Sequence, residues 1–547
     1  MENHTSNQET NSTNEELAPS KFKMEKADED TFNSSYFINL FYSLDSEYFL
    51  DQNGLAKVSF KLNGRNVTTK INSPQMKSSI YLFARTWKLK KITPTKIEET
   101  INEMSALALE SGKVYFCSIR CQRDTNGDVS IQLSKDKYCL ISSSGEGYQI
   151  VSDSNLKFDW PQKQLDLPLP TKTTWNNLLK LLIQINNFEK EENVYLLLAY
   201  ILKSLVINSG ANPIAVLQGP QGSAKSTSSN NIKKIIDPTL PLLVSPPRCE
   251  AEVLITANSS YFLAYDNLSG LNADLADTFC RLSTGGGISK RALYTDDDEK
   301  SYNLLKSLLF NGIDEASIRP DFNDRAIIFH LKRIPNEKRV SEEALKERFK
   351  KIYPEILGGI YQLLSLVLKE LPSIRTEGLP RMTEYARFGI ALEKVLKLSD
   401  GFFLQIYEEN IREKIESNFW SDEVCNAFYC FFYSYENIKL GHHERRPEPA
   451  GVNLITGEYF LTGTSEELRL IFSKTKDKSS SVFPKTARGF SEQLKRIEPL
   501  LNGKNIRIER DRTSHRREIR VFAKIEPEAL KKLLEHEHWK ETSNNWP

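Results

Sequence analysis

None of the apolar runs in this 547-residue sequence reaches the roughly 18 residues that a membrane-spanning helix needs, so no membrane partner is expected. An excess of one charge is also missing. The 73 basic residues face 72 acidic ones for a formal +1, so an argument for nucleic-acid binding can rest only on local clusters. There is no disulfide framework: the seven cysteines are odd in number and scattered, which suits a reducing cytoplasm. Cys117, Cys121 and Cys139 are the ones to weigh as metal ligands, but no histidine lies near them and they fall in apparent strands. Buried thiols account for them better than zinc does. The opening Met1-Glu2-Asn3-His4 is not a signal peptide, and a cytoplasmic location is expected. Residues 1–33 carry few large apolar side chains and many Asn, Ser, Thr and Glu, so disorder is expected there.

What is present divides the chain into about three domains. Residues 34–169 mix helix and strand patterns and read as a small α+β domain. A hairpin over 49–60 turns at Asn53-Gly54. A helix over 93–111 has Thr93 as its cap and Pro94 as its first residue. Residues 114–121 pair with 129–133 across the turn at Asn126-Gly127. The prolines of 161–172 mark a linker. From 173 to 334 strands and helices alternate, which implies a mostly parallel sheet covered on both faces. Residues 335–440 turn helical, with helices over 341–353, 355–371 and 381–398. A polar stretch at 441–457 reads as a second linker before a domain at 458–547.

The alternating region is organised around Gly219-Pro220-Gln221-Gly222-Ser223-Ala224-Lys225-Ser226-Thr227, which follows an apolar strand. This is a phosphate-binding loop pattern. The glycines let the backbone curl so that its N–H groups point at an anion. Lys225 adds charge for the outer phosphates, and Ser226 offers a hydroxyl to Mg²⁺. The helix that follows turns its positive end towards the same point. Ala224 stands where a second glycine is usual. The competing account is an ordinary strand-turn-helix with a chance lysine. Three downstream segments weigh against it: an apolar strand ending in Asp266-Asn267, another ending in Asn311-Gly312, and a strand preceded by Arg325. Asp266 would hold the metal and Asn311 the attacking water. Arg325 would face a neighbouring subunit's nucleotide.

The C-terminal domain has a different grammar. Two helices, at 464–472 and 486–498, precede a hairpin of strands 506–510 and 517–522, the order of a winged helix. Between Lys485 and Arg520 lie eleven basic and five acidic residues, a local +6. Arg488, Lys495 and Arg496 on the helix, with Arg510, Arg512, Arg516 and Arg517 on the hairpin, make a surface suited to duplex phosphates. A solvated charged face or a protein-binding winged helix is the alternative.

Four segments carry a family resemblance. They run from Ala264 through Asp266 to Gly270, Phe279 to Gly287, Arg291 to Glu299, and Phe310 to Gly312. They resemble AAA+ proteins of mobile genetic elements, including the replicative helicases of staphylococcal cassette chromosomes and pathogenicity islands. These in turn are similar to MCM and superfamily 3 helicases. The resemblance covers about residues 215–331, and 335–440 fit the helical lid of that plan. It implies an ATP-dependent homo-hexameric ring that draws one DNA strand through its centre. By position, Lys225 and Ser226 take the loop roles, Asp266 the Mg²⁺ role and Asn311 the sensor role. Arg325 falls at the trans finger, with Arg319 as the other candidate, and Arg381 at the second sensor. Two departures follow. Asn267 stands where relatives carry a glutamate, and an amide is no base at neutral pH, so Asp266 with Asn311, or Glu250, would have to orient the water. The expected pore hairpin has an acidic turn, Asp296-Asp297-Asp298-Glu299, which leaves Lys290, Arg291 and Lys300 at its flanks for DNA. No primase signature accompanies these motifs, so a separate primase or polymerase is the expected partner. An ATPase switch that loads or regulates without unwinding needs the same nucleotide site.

Overall fold

The computed structural model describes residues 34–62, 65–86, 92–207, 210–268, 270–291, 299–303, 305–312, 320–433, 450–453, 458–474, 483–512 and 517–524. The chain divides into two compact units, Met1–Ile313 with Asp324–Tyr407, and Asp314–Asn323 with Glu408–Pro547. The tail 1–33, the acidic turn 296–298, Arg319, Arg516 and the polar stretch 434–449 lie outside the described residues.

The first unit opens with α1 (Ser34–Ser43), β1 (Glu47–Asp51), β2 (Ala56–Leu62), β3 (Arg65–Lys70), α2 (Pro74–Thr86) and α3 (Pro94–Glu110). The β1–β2 hairpin turns at Gly54, φ +74°, with Asp51 Oδ1 accepting from Asn53 N and Leu55 N at 2.9 and 3.0 Å. The α3 cap is as expected: Thr93 Oγ1 accepts from Lys96 N at 3.3 Å. Phe37, Phe41, Val58, Phe60, Ile97 and Met104 share one core here.

The next stretch corrects the expected pairing of 114–121. It breaks into β4 (Val114–Tyr115), β5 (Cys117–Ser118) and β6 (Cys121–Arg123), which join three different sheets. Only β6 pairs with β7 (Val129–Ser134), and β8 (Lys137–Ile141) and β9 (Tyr148–Val151) complete that sheet. The cause is Arg120. Its fully buried guanidinium donates to the carbonyls of Gln132 and Leu165, both at 2.8 Å, and to Asp237 Oδ1 at 3.1 Å. Satisfying that buried charge bends the chain between β5 and β6. β10 (Lys157–Phe158) pairs with β5. Cys117, Cys121 and Cys139 are buried, and burial pushes the Cys117 thiol up to about 12. The segment 161–172 is tied down along its length. Leu165 N donates to Pro238 O at 3.0 Å, Leu167 N to Leu133 O at 2.8 Å and Thr171 N to Pro354 O at 2.9 Å.

After α4 (Trp175–Ile185) and α5 (Asn193–Ser204) the chain enters β11 (Ile214–Gln218) and α6 (Lys225–Ile236). It continues through α7 (Glu250–Ser259), β12 (Phe262–Tyr265), α8 (Ala273–Thr284), β13 (Gly287–Arg291), β14 (Glu299–Asn303) and β15 (Ser307–Asn311). The short α9 (Pro320–Asn323) belongs to the second unit, and β16 (Ala326–His330) returns to the first. The central sheet has the order β12-β15-β11-β16 and every pair in it is parallel. All residues of β11, β12 and β15 are buried, as a sheet covered on both faces requires.

The helices expected at 341–353 and 355–371 are one, α10 (Glu342–Glu370), which runs through Pro354. A proline inside a helix removes a donor and normally kinks it. Here packing offsets that cost: Gly358 lies so close to Thr171 that a Cβ would sit 1.8 Å from its carbonyl oxygen, and Gly359 lies against Leu178. α11 (Thr383–Leu396) and α12 (Phe402–Ser421) follow.

In the second unit, α13 (Glu423–Tyr433), the helix Ser465–Ser473 and the helix Ala487–Asn502 share a core containing Phe428, Phe472 and Phe490, with Phe428 and Phe472 stacked at 3.7 Å. The last helix continues past Pro499, where a stop was expected. Its sheet has the order β17 (Ala450–Asn453), β18 (Glu458–Gly463), β20 (Arg517–Lys524), β19 (Ile506–Arg512), all antiparallel. The β19–β20 hairpin matches expectation. β17, β18 and the shared core with α13 were not read from the sequence.

Candidate nucleotide site and nucleic-acid surfaces

β11 delivers the loop at the C-terminal edge of the parallel sheet. Gly219 has φ +153°, and a Cβ there would lie 2.6 Å from Leu331 O and 2.8 Å from Ser223 Oγ. Gly222 has φ +79°, and Ile334 N donates to its carbonyl at 3.1 Å. Ala224 holds the left-handed position itself, φ +64°, ψ +30°, immediately before α6. An L-residue there costs about 1–2 kcal/mol, so the sequence departure is accommodated with strain and without a change of path. Pro220 and Gln221 are exposed, Ser223 is buried and Thr227 is half-buried. The first N–H groups of α6 have no partner within the helix and its dipole is positive at this end, so the loop is electropositive whatever its side chains.

Lys225 Nζ donates to the carbonyls of Gly219 and Pro220 at 2.6 and 3.1 Å, which holds the ammonium over the loop. Ser226 Oγ donates to Asp266 Oδ1 at 3.0 Å. Two hard oxygens from two elements meet there, a donor pair suited to a small divalent cation. Asp266 is placed by its own N–H on Val244 O at 3.0 Å, beyond the edge of β12. Asn267 is left-handed, φ +57°, a conformation that asparagine tolerates better than most residues. Asn311, 2% exposed, accepts from Asn267 N at 2.7 Å and donates to Ser229 Oγ at 3.0 Å. It braces the Asp266 loop against α6.

The remaining candidates lie elsewhere. Arg325 precedes β16 at the opposite, N-terminal edge of the sheet, where its carbonyl accepts from Ile214 N at 2.8 Å. Arg381 donates to Asp324 Oδ2 at 2.7 Å, so it stands at that same edge. Glu250 is held by Arg281 at 2.7 Å and by Thr278, both on α8. In the β13–β14 pair, Lys290 faces Lys300 and Arg291 faces Glu299 in register. The sequence did not point to Ser229 or Arg339. Ser229 was detectable as the residue four positions after Lys225 on one helix face. Arg339 was detectable as the end of the basic segment Lys332-Arg333…Lys338-Arg339.

In the second unit several basic residues have acidic partners. Arg488 pairs with Glu492 at 3.0 Å, Arg510 with Glu498 at 2.6 Å, Arg520 with Asp511 at 3.1 Å and Lys504 with Glu416 at 3.1 Å. Arg507 pairs with Glu509. Lys485, Lys495 and Arg517 are exposed, and Arg496 donates to Gln493. Arg512 ends β19, opposite Arg517. Among the described residues no helix is long and apolar enough to cross a membrane, and no cluster of three metal-ligating side chains occurs.

Residues 179–401 match the family described as the actinomycete integrative conjugative element replication protein, and residues 452–532 match the C-terminal domain of that replication protein. The chain is similar to these proteins over both segments. No curated protein matches it. Of the solved structures, the apo A form of the NrS-1 C-terminal region is 12% identical with a TM-score of 0.39, covering 91% of this chain and 100% of that one. The X-ray structure of JCV helicase is 15% identical with a TM-score of 0.18, covering 44% and 71%. Likeness at that level does not fix the fold.

Proposed function

We propose that this chain is an ATP-dependent DNA helicase and replication initiator of a mobile genetic element, working as a homo-hexameric ring. The observation that carries the proposal is the meeting of three elements at one sheet edge: the Lys225 loop, Ser226 with Asp266, and the Asn311 brace. A strand order that separates the loop strand from the Asp266 strand by the Asn311 strand fits an AAA+ core. The two family matches support a role in replicating an integrative element.

In this reading Lys225 and the loop N–H groups hold the nucleotide's phosphates, and Ser226 and Asp266 hold Mg²⁺. The ion neutralises phosphate charge when bound. Arg325 cannot serve its own loop. The sheet is roughly 15 Å long in the strand direction, beyond the reach of one arginine side chain. Together with Arg381 at the same edge, it fits a site completed by a second copy. In the second unit, α13, the two later helices and the β18–β20–β19 sheet fit a winged helix. Its Lys495, Arg496 and Arg517 would contact duplex phosphate, with Arg512 and Arg516 alongside.

The test is strand displacement on forked duplexes of both polarities with ATP and Mg²⁺, with Lys225→Ala as control. Displacement by the full chain that Lys225→Ala abolishes supports the reading. ATPase activity without displacement on any fork favours a loader or regulator, a reading that the amide at Asn267 also suits. Near-normal ATPase in Lys225→Ala sinks the nucleotide-site assignment.

A further inference from the structure

We infer that Arg339 contacts the phosphate chain of the nucleotide from the same chain as Lys225, a deepening of the site that rests on the ATPase reading. The segment after β16 is fastened to the loop by the bond from Ile334 N to Gly222 O at 3.1 Å. A single tight turn over Asn336–Lys338 then brings the chain back, with Arg339 N donating to Asn336 O at 3.2 Å. The guanidinium ends directly over Gly222, where a Cβ would sit 2.6 Å from Nη2 and 3.4 Å from Cζ. The positive φ of Gly222 is what favours glycine there, and the arginine lies over the open face of the loop.

Electrostatics explains why this position points to a ligand. Arg339 is exposed, and no carboxylate pairs with it or with Lys225 among the described residues. Two cations and the positive end of α6 thus converge on one loop, an arrangement that repels itself until an anion binds. A guanidinium presents a planar fork of donors that matches phosphate oxygens, so the ligand class is a nucleoside polyphosphate. The arginines at the opposite sheet edge, Arg325 and Arg381, differ in that Arg381 is already paired with Asp324.

The experiment titrates the full chain with a fluorescent ATP analogue and its AMP counterpart, with Mg²⁺, in wild type, Arg339→Ala, Arg339→Lys and Lys225→Ala. Loss of charge-assisted bonds to phosphate should weaken Arg339→Ala for the ATP analogue by about 10- to 100-fold. AMP-analogue affinity should change less, so the preference for triphosphate shrinks, and Arg339→Lys should recover part of the loss. An unchanged melting temperature separates this from a folding defect. If Arg339→Ala binds the ATP analogue within about twofold of wild type while Lys225→Ala does not bind, the inference falls and the ATPase reading stands. If the wild type binds neither analogue, both fall.

Discussion

Asp237→Asn should destabilise the first unit more than Arg120→Met does. Asp237 closes α6 and is fully buried between two cations. Its Oδ1 accepts from Arg120 Nε at 3.1 Å, and its Oδ2 accepts from Lys233 Nζ at 3.1 Å and from the N–H groups of Tyr261 and Phe262 at 3.1 and 3.2 Å. Arg120 is 0% exposed and Lys233 2%. Replacing the carboxylate by an amide of the same shape keeps the packing but leaves two buried cations facing each other. Breaking a buried pair in this way costs about 3–5 kcal/mol. Arg120→Met leaves the Asp237–Lys233 pair neutral overall and removes donors from buried carbonyls, for about 1–3 kcal/mol. The ordering of the two variants follows from charge. The scale is about 2–4 °C per kcal/mol for 150–250 residues and smaller for a larger unit such as this one, so Asp237→Asn should lower the first transition of a thermal melt by roughly 4–10 °C. Burial pushes the Asp237 carboxyl up, but Lys233 and Arg120 together overcome it and hold it below its ordinary value. A depressed folded pKa gives stability that is present above the unfolded value, near 4, and lost as pH falls through the folded one. The wild type should thus lose this component below about pH 4, and Asp237→Asn should lack it. A shift of under about 2 °C for Asp237→Asn, or a larger loss in Arg120→Met, would refute the charge argument.

Other outcomes are equally specific. Arg325→Ala should leave nucleotide affinity near wild type and lower ATP turnover by about 10³-fold; a fall of less than about tenfold makes Arg325 structural and directs the test to Arg319. Ala224→Gly should relieve the left-handed strain and raise the melting free energy by about 1 kcal/mol with nucleotide binding retained; a lower melting temperature would contradict the strain argument. Lys495→Glu with Arg517→Glu should weaken duplex binding and flatten its log–log salt slope by about 2 while ATPase persists; an unchanged slope means this surface does not track phosphate. Cutting the chain near Gly457 is not the clean test that the polar stretch suggested, because Phe428 and Phe431 of α13 share their core with the later helices.

What the sequence made legible is what is local. The loop from Gly219 to Ser226 needs fixed residue types at fixed spacing, and Thr93-Pro94 opens a helix by chemistry confined to one turn. Asp266 and Asn311 could be read because each ends a buried strand, and buried strands show as apolar runs. Partners far apart in sequence left no such trace. Arg120 and Asp237 meet across 117 positions, and nothing near Arg120 marks it as buried. Pro354 looked like a helix end because the residues packed against α10 just beyond it, Thr171 and Leu178, are remote in sequence. Arg381 lies two residues before α11 rather than opening it, and its neighbour Asp324 is what locates it on the sheet edge away from Lys225.

Asn311 changes meaning between the two levels. As a polar residue ending a strand it suggested a holder for water. In place, its carbonyl oxygen and one amide hydrogen are engaged by Asn267 N and Ser229 Oγ. It therefore ties the backbone next to Asp266 to the helix that begins at Lys225. That helix ends at Asp237, whose carboxylate takes Arg120 from the β5–β6 turn. A continuous set of hydrogen bonds so runs from the Asp266 loop through α6 to the sheet of β6–β9. The β6–β9 sheet is joined to the central parallel-sheet region through this connection, and the segment 161–172, bonded to Pro238, Leu133 and Pro354, reinforces it. A shift of the Asp266 loop would bear on α6 through Asn311, which is 2% exposed and holds Ser229, and on the β6–β9 sheet through the fully buried Asp237–Arg120 pair.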